Sequence, residues 1–180
     1  CRHWGMVMVK RLVLSFIATD KPGVVERITE AVADAGGNWL ESRMAHLAEK
    51  FAGVARVTVP DDKAAGLESA LSALNEDGFQ MVVETVGELT EQEGRVLVLD
   101  FVGPDHPGIL HEISSCLAER GVSVENMKTE LEEAPMGGGR LFHAKGRVRV
   151  PESADNTALR DALEELAGAL MVDISLDPDA

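Results

Sequence analysis

The stretch Asp20-Lys21-Pro22-Gly23, leading into Val24-Val25, joins an alternating apolar run to an amphipathic helical pattern, and Asp105-His106-Pro107-Gly108 repeats the junction 85 positions later. Each reads as a tight strand-to-helix turn. Proline suits a first helical position because its missing N–H costs nothing there, and the aspartate ahead of it is placed to cap free N–H groups. Glycine has no side chain, so a ligand can approach the helix end closely. Bare N–H groups at a helix start attract carboxylates and other anions. The chain thus offers two small-anion sites, or one site built twice.

Upstream of the first turn, Leu12, Leu14 and Phe16 alternate with Val13, Ser15 and Ile17, which is the period of a strand. Downstream, Val24, Val25, Ile28, Ala31, Val32 and Ala35 recur at helical spacing until Gly36-Gly37 ends the helix. Residues 38–48 and 51–59 read as two strands joined at Glu49-Lys50. Pro60-Asp61-Asp62 opens a second helix that closes near Gly78, and residues 79–86 form a fourth strand. The order is βαββαβ over residues 9–88. After an acidic linker at 89–94 it restarts over 95–177: strand 95–102, hairpin strands 122–132 and 140–150, helix 153–167, strand 170–176.

Asp20, Pro22, Gly23, Ile28, Ala33 and Gly36 have identical counterparts at Asp105, Pro107, Gly108, Ile113, Ala118 and Gly121, all at the same offset. That is an internal duplication. A βαββαβ unit folds as a four-stranded antiparallel sheet with both helices on one face, so the expected class is α+β with two ferredoxin-like domains in tandem. The opposite face carries Val13, Ile17, Val98 and Val102, too apolar for water, so another domain or another copy is expected to cover it.

The halves differ in two places. The second hairpin carries Glu133-Ala134-Pro135-Met136-Gly137-Gly138-Gly139, a loop expected to be mobile and to close over a site. Its return strand places Leu141, His143, Lys145, Arg147 and Arg149 on one face; pairing with Glu130 and Glu132 across the hairpin is the expected fate of these cations, an acidic partner or ligand the other.

Composition narrows the function classes. A net charge of −14 over 180 residues opposes the wrapping of nucleic acid. No apolar run approaches a membrane span, and nothing near Lys10-Arg11 has the order of a signal peptide, so a cytoplasmic protein is expected. The tip Cys1–Gly5 carries no assigned role, with Met6 and Met8 as alternative starts. Cys116 reads as a small buried hydrophobe and Trp4 and Trp39 as packing groups. His106 and His111 are off a common helical face, and His46 and His143 are isolated on strands, so no metal site is expected. Nor is a cofactor. No nucleophile–base pairing or phosphate loop is present, and neither turn holds the arginine an acylphosphatase-like enzyme needs.

The two Asp-x-Pro-Gly turns, the Val-Val or Ile-Leu helix starts, the glycine at the helix end and the repeated βαββαβ order resemble ACT domains. Tandem ACT domains filling a chain of this length most resemble the glycine cleavage system transcriptional repressor family. The resemblance covers residues 9–177 and implies regulation by a small ligand, usually an amino acid, at ACT interfaces, without catalysis. Carried over, the ligand site comprises Asp20, Lys21, Pro22, Gly23, Val24 and Asn38 in the first domain and Asp105, His106, Gly108, Ile109 and Ser123 in the second. N–H groups around Gly23 and Gly108 take the ligand carboxylate; Asp20 or Asp105 and the Asn38 amide oxygen take its ammonium. Some ACT domains carry asparagine where this chain has Asp20 and Asp105, and Ser123 stands where an amide is found. The implied partners are an amino-acid effector, a transcription factor or enzyme contacted as protein, and a second copy in a dimer; direct contact with nucleic acid or membrane is not implied. A capping aspartate and a turn glycine explain the same residues without a ligand.

Overall fold

The computed structural model describes residues 8–179; Cys1, Trp4 and Met6 lie outside the described residues. The chain divides between Thr90 and Glu91 into two compact units. In the first, β1 (Val9–Thr19), α1 (Val24–Asp34), β2 (Asn38–Leu47), β3 (Lys50–Pro60), α2 (Asp61–Ala73) and β4 (Gln80–Val86) follow in order. The sheet order is β2-β3-β1-β4, every neighbour antiparallel. The second repeats it with β5 (Arg95–Pro104), α3 (Ile109–Ala118), β6 (Ser123–Glu133), β7 (Arg140–Val150), α4 (Asn156–Leu170) and β8 (Asp173–Pro178), ordered β6-β7-β5-β8.

Period-two alternation sets the core. Leu12, Leu14 and Phe16 on β1 are buried, as are Leu97, Leu99 and Phe101 on β5. Val24, Ile28 and Val32 of α1 and Ala64, Leu67 and Leu71 of α2 close over the first set, and Ile109, Ile113 and Leu117 of α3 with Leu159 and Leu163 of α4 over the second. Full burial of each large side chain contributes about 1.5–3 kcal/mol. The aromatic pairs Phe16–Phe51 and Phe101–Phe142 stack with centroids 6.2 and 5.7 Å apart at matching places.

The helix starts differ from the sequence expectation. Pro22 and Pro107 lie in the turn, and α1 and α3 begin at Val24 and Ile109 behind Gly23 and Gly108. These glycines are the N-caps, with φ of +95° and +85°, and no side chain caps either helix. The left-handed glycine swings the chain into the helix after the proline, which leaves Asp20 and Asp105 too far back to cap. Their N–H groups instead extend the sheet, donating to the carbonyls of Glu49 and Arg140 at 3.0 Å in both units.

Other boundaries move for local reasons. The first hairpin turns at Ala48-Glu49, both at positive φ (48° and 66°) as a type I′ turn demands. Helix α4 starts later than expected because Asp155 caps it, accepting from the Thr157 N–H at 2.9 Å; Met171 in the left-handed conformation ends it and delays β8. Trp39 packs against the first core and donates to Ser42 Oγ at 3.0 Å. Cys116 is half-buried against the second core rather than enclosed. The loop after β6 makes a short 3-10 turn at Pro135–Gly137 that leaves Met136 fully exposed.

The faces away from the helices are unlike each other. In the first unit Ile17, Val54 and Val82 are 46, 46 and 53% exposed, with Val13 half-buried beside them, so this face is apolar as expected. In the second unit Val98 and Val102 are half-buried among Asp100, Asp173, Asp177, His143, Lys145 and Arg147, so no comparable apolar patch forms there. Long charged side chains cover apolar neighbours with their stems while keeping their charges in water.

Three stability outcomes follow from this backbone. A Cβ added at Gly23 or Gly108 meets nothing within 4 Å, so Gly23→Ala and Gly108→Ala each cost about 1 kcal/mol through φ alone, read by denaturant unfolding. Replacing Ala48-Glu49 by Asn-Gly relieves roughly 1–2 kcal/mol per strained residue, less the added unfolded entropy of glycine, and raises stability by about 1 kcal/mol net. Asp77 is held below its ordinary value of 3.8 by the hydrogen bond and charge of Arg27, which also lies 5.5 Å over the Phe79 ring. The pair's contribution is therefore complete above that value and is lost as pH falls through the depressed one; unfolding of Asp77→Asn followed against pH loses this acid dependence.

Candidate functional site

The first turn presents its groups at the end of a central strand. Asp20, Lys21, Pro22, Gly23 and Asn38 are exposed, while Val24 is 4% exposed and belongs to the core. The first intrahelical bond runs from the Arg27 N–H to the Gly23 carbonyl at 3.1 Å. The N–H groups of Val24, Val25 and Glu26 therefore face outward from the helix start with no side-chain acceptor. Asp20 Oδ2 lies 3.4 Å from His46 Nε2, a histidine on β2 paired with Phe51. Lys21 is near enough to Asp77 for its charge to favour the carboxylate.

The second turn is built alike but is more closed. The Glu112 N–H bonds the Gly108 carbonyl at 3.0 Å, and the Ile109 N–H is already taken by the His106 carbonyl at 3.3 Å. His106 turns its Nδ1 to the Pro107 carbonyl at 3.1 Å. Ile109 is buried, whereas Asp105, Gly108 and Ser123 are exposed. The base of the 133–139 loop adjoins this turn through the bond from Asp105 to Arg140.

The strand-start residues do not join these turns within a unit. Asn38 pairs with Thr58, which pairs with Arg11, nine positions along β1 from Asp20; Ser123 pairs with Arg149 and so with Val96, nine positions from Asp105. At ~3.3 Å per residue each pair of expected ligand groups is roughly 30 Å apart, at opposite ends of its sheet. Within one unit, Asp20 and Asn38 therefore cannot contact the same ammonium group. Strand β2 runs parallel to β1 with β3 between them, so its start lies at the far end from the C-terminus of β1.

His46 and His143, isolated in sequence, both have acidic partners. His143 Nε2 is 2.9 Å from Asp100 Oδ1 and Nδ1 is 3.4 Å from Glu132 Oε1, and hydrogen bonding to Asp100 first and Glu132 second raises its pKa above the ordinary 6.5. The basic stripe is largely neutralised by pairing, with Arg147 against Asp179 at 2.6 Å, Arg149 against Glu125 at 2.6 Å and His143 between Asp100 and Glu132, whereas Glu130 pairs with Lys128 of its own strand at 3.7 Å. Counting back from the second hairpin turn could have found Glu130 opposite His143 and Glu132 on the diagonal from it. Asp100 and Asp20 come from non-adjacent segments, and no local signal reaches them. Surface grooves lie elsewhere, one of about 480 Å³ between α3 and α4 and one of about 410 Å³ between α1 and α2. Among the described residues no helix is long and apolar enough to cross a membrane.

Comparison with known proteins bears on this architecture. Residues 10–84 match the model of the ACT domain. Comparison with functionally curated proteins returns no match. Among solved structures, an unknown protein from Galdieria sulphuraria is 28% identical with a TM-score of 0.82, covering 96% of this chain and 100% of its own. A candidate glycine cleavage system transcriptional repressor is 20% identical with a TM-score of 0.69, covering 94% of this chain and 97% of its own, a likeness of fold. The half at residues 10–84 matches the ACT domain, and the other half repeats its strand order, turn and glycine cap, so the chain is built of two ferredoxin-like halves of which the first matches the ACT domain.

Proposed function

We propose that this chain is a cytoplasmic, non-catalytic regulator that binds a small amino acid at its strand-to-helix turns and controls a transcription factor or enzyme by protein contact. The observation that carries the reading is the uncapped start of α1 beside Asp20: outward N–H groups suited to a carboxylate, and a carboxylate suited to an ammonium group. The first site is the stronger of the two, since in the second the Ile109 N–H is engaged and Ser123 replaces an amide. The net charge of −14 supports action through protein rather than by direct contact with DNA.

Because Asn38 lies at the far end of its own sheet, the first site in this reading is completed by the β2 start of a second copy of the chain. The same ACT architecture without a ligand is the competing reading, favoured by the absence of any intramolecular convergence of Asp20 with Asn38.

Thermal unfolding of the full chain with each common amino acid separates them. A ligand at 100 times its dissociation constant stabilises by about 2.7 kcal/mol, and Asp20→Ala removes most of that gain. Mixed dimers of Asp20→Ala and Asn38→Ala chains regain one intact site if the site spans two copies, and none if it does not. No stabilisation by any amino acid sinks the effector reading, and tight operator binding by the chain alone at physiological salt sinks the protein-contact reading.

A further inference from the structure

On the helix-free face of the second sheet, residues from three strands converge on one imidazole. His143 on β7 is paired directly with Glu130 on β6; Glu132 stands two residues further along the same face of β6. The ligand atoms of Glu130, Glu132 and His143 all lie within 4.8 Å of one another. On the other side of the ring, Asp100 of β5 takes Nε2 at 2.9 Å, which leaves Nδ1 directed toward the glutamates. We propose that Glu130, Glu132 and His143 Nδ1 bind one divalent transition-metal ion of the zinc class, with Asp100 as the positioning residue that orients the imidazole.

The chemistry favours this over a plain ion-pair cluster. A histidine that ligates a metal through one nitrogen typically gives its other N–H to a carboxylate, and that is the place Asp100 holds. Tetrahedral ligand atoms about 2.1 Å from zinc stand about 3.4 Å apart, so the exposed glutamates close by roughly an ångström through side-chain torsions alone. Imidazole beside carboxylates suits zinc and its neighbours, whereas carboxylates without it suit magnesium and calcium. The opposing charges are Lys128, 3.7 Å from Glu130 on an 80% exposed side chain, and Lys145, paired in register with Asp100. An exposed lysine contact of this kind is worth ~0–1 kcal/mol and yields to a doubly charged ion. Because the ligands stand on hydrogen-bonded strands, their backbone geometry exists before the metal arrives.

The test is a titration of the chelator-treated full chain with zinc chloride, followed by the ring-nitrogen NMR signals of its histidines. The expected result is one equivalent of zinc perturbing His143 ahead of every other histidine, reversed by a chelator, with magnesium at the same concentration leaving His143 unchanged. His143→Gln reduces the affinity at least tenfold, and Asp100→Asn, which keeps every proposed ligand, reduces it about 10- to 100-fold; unfolding curves of both variants check that the sheet is intact. The proposal is overturned if zinc shifts another histidine first, if either variant binds as tightly as the parent, or if magnesium competes equally.

Discussion

Everything in each half depends on a central strand that is hydrogen-bonded on both edges and buried on alternate residues. β1 pairs with β3 and β4, and β5 with β7 and β8, so neither can slip by one residue without turning Leu12, Leu14 and Phe16, or Leu97, Leu99 and Phe101, out of the core. That constraint fixes where the strand must end. It also requires the chain to rise from the strand end into the helix layer within a few residues. Gly23 and Gly108 meet that demand by adopting positive φ, and the helix starts they create have no capping side chain. The candidate anion sites are thus a by-product of sheet register and turn stereochemistry.

Duplication preserved this scaffold and let the surfaces diverge. The first sheet offers an apolar outer face around Ile17, Val54 and Val82, a surface suited to contact with another protein. The second offers paired charges, with His143 held between carboxylates. The turns diverged as well. In the first, the outward N–H groups adjoin Asp20 and His46; in the second, His106 folds its ring and carbonyl into the turn itself. One fold therefore presents different chemistry twice in the same chain, and equal behaviour of the two sites does not follow from their shared motif.

The legible part of the sequence was whatever repeats at short range. Alternation in β1 and β5, helical spacing from Val24 to Ala35, the glycine punctuation and the offset of 85 were enough for the βαββαβ order, the antiparallel sheets and the ACT resemblance. The helix starts were misplaced by two residues because Asp-x-Pro is compatible both with capping and with a turn ahead of a glycine cap. Only the φ angle at Gly23 separates those outcomes.

What the sequence by itself determined is therefore the fold of each half and the position of the two turns, since both are written in local periodicity and local stereochemistry. Tertiary structure alone decided which groups meet. It parted Asp20 from Asn38, because the strand order β2-β3-β1-β4 sends the start of β2 to the opposite end of the sheet. It brought Asp100 to His143 across 43 intervening steps of chain, because β5 and β7 pair through non-local hydrogen bonds. Such pairings follow from the register of whole strands, and no window of neighbouring residues contains them.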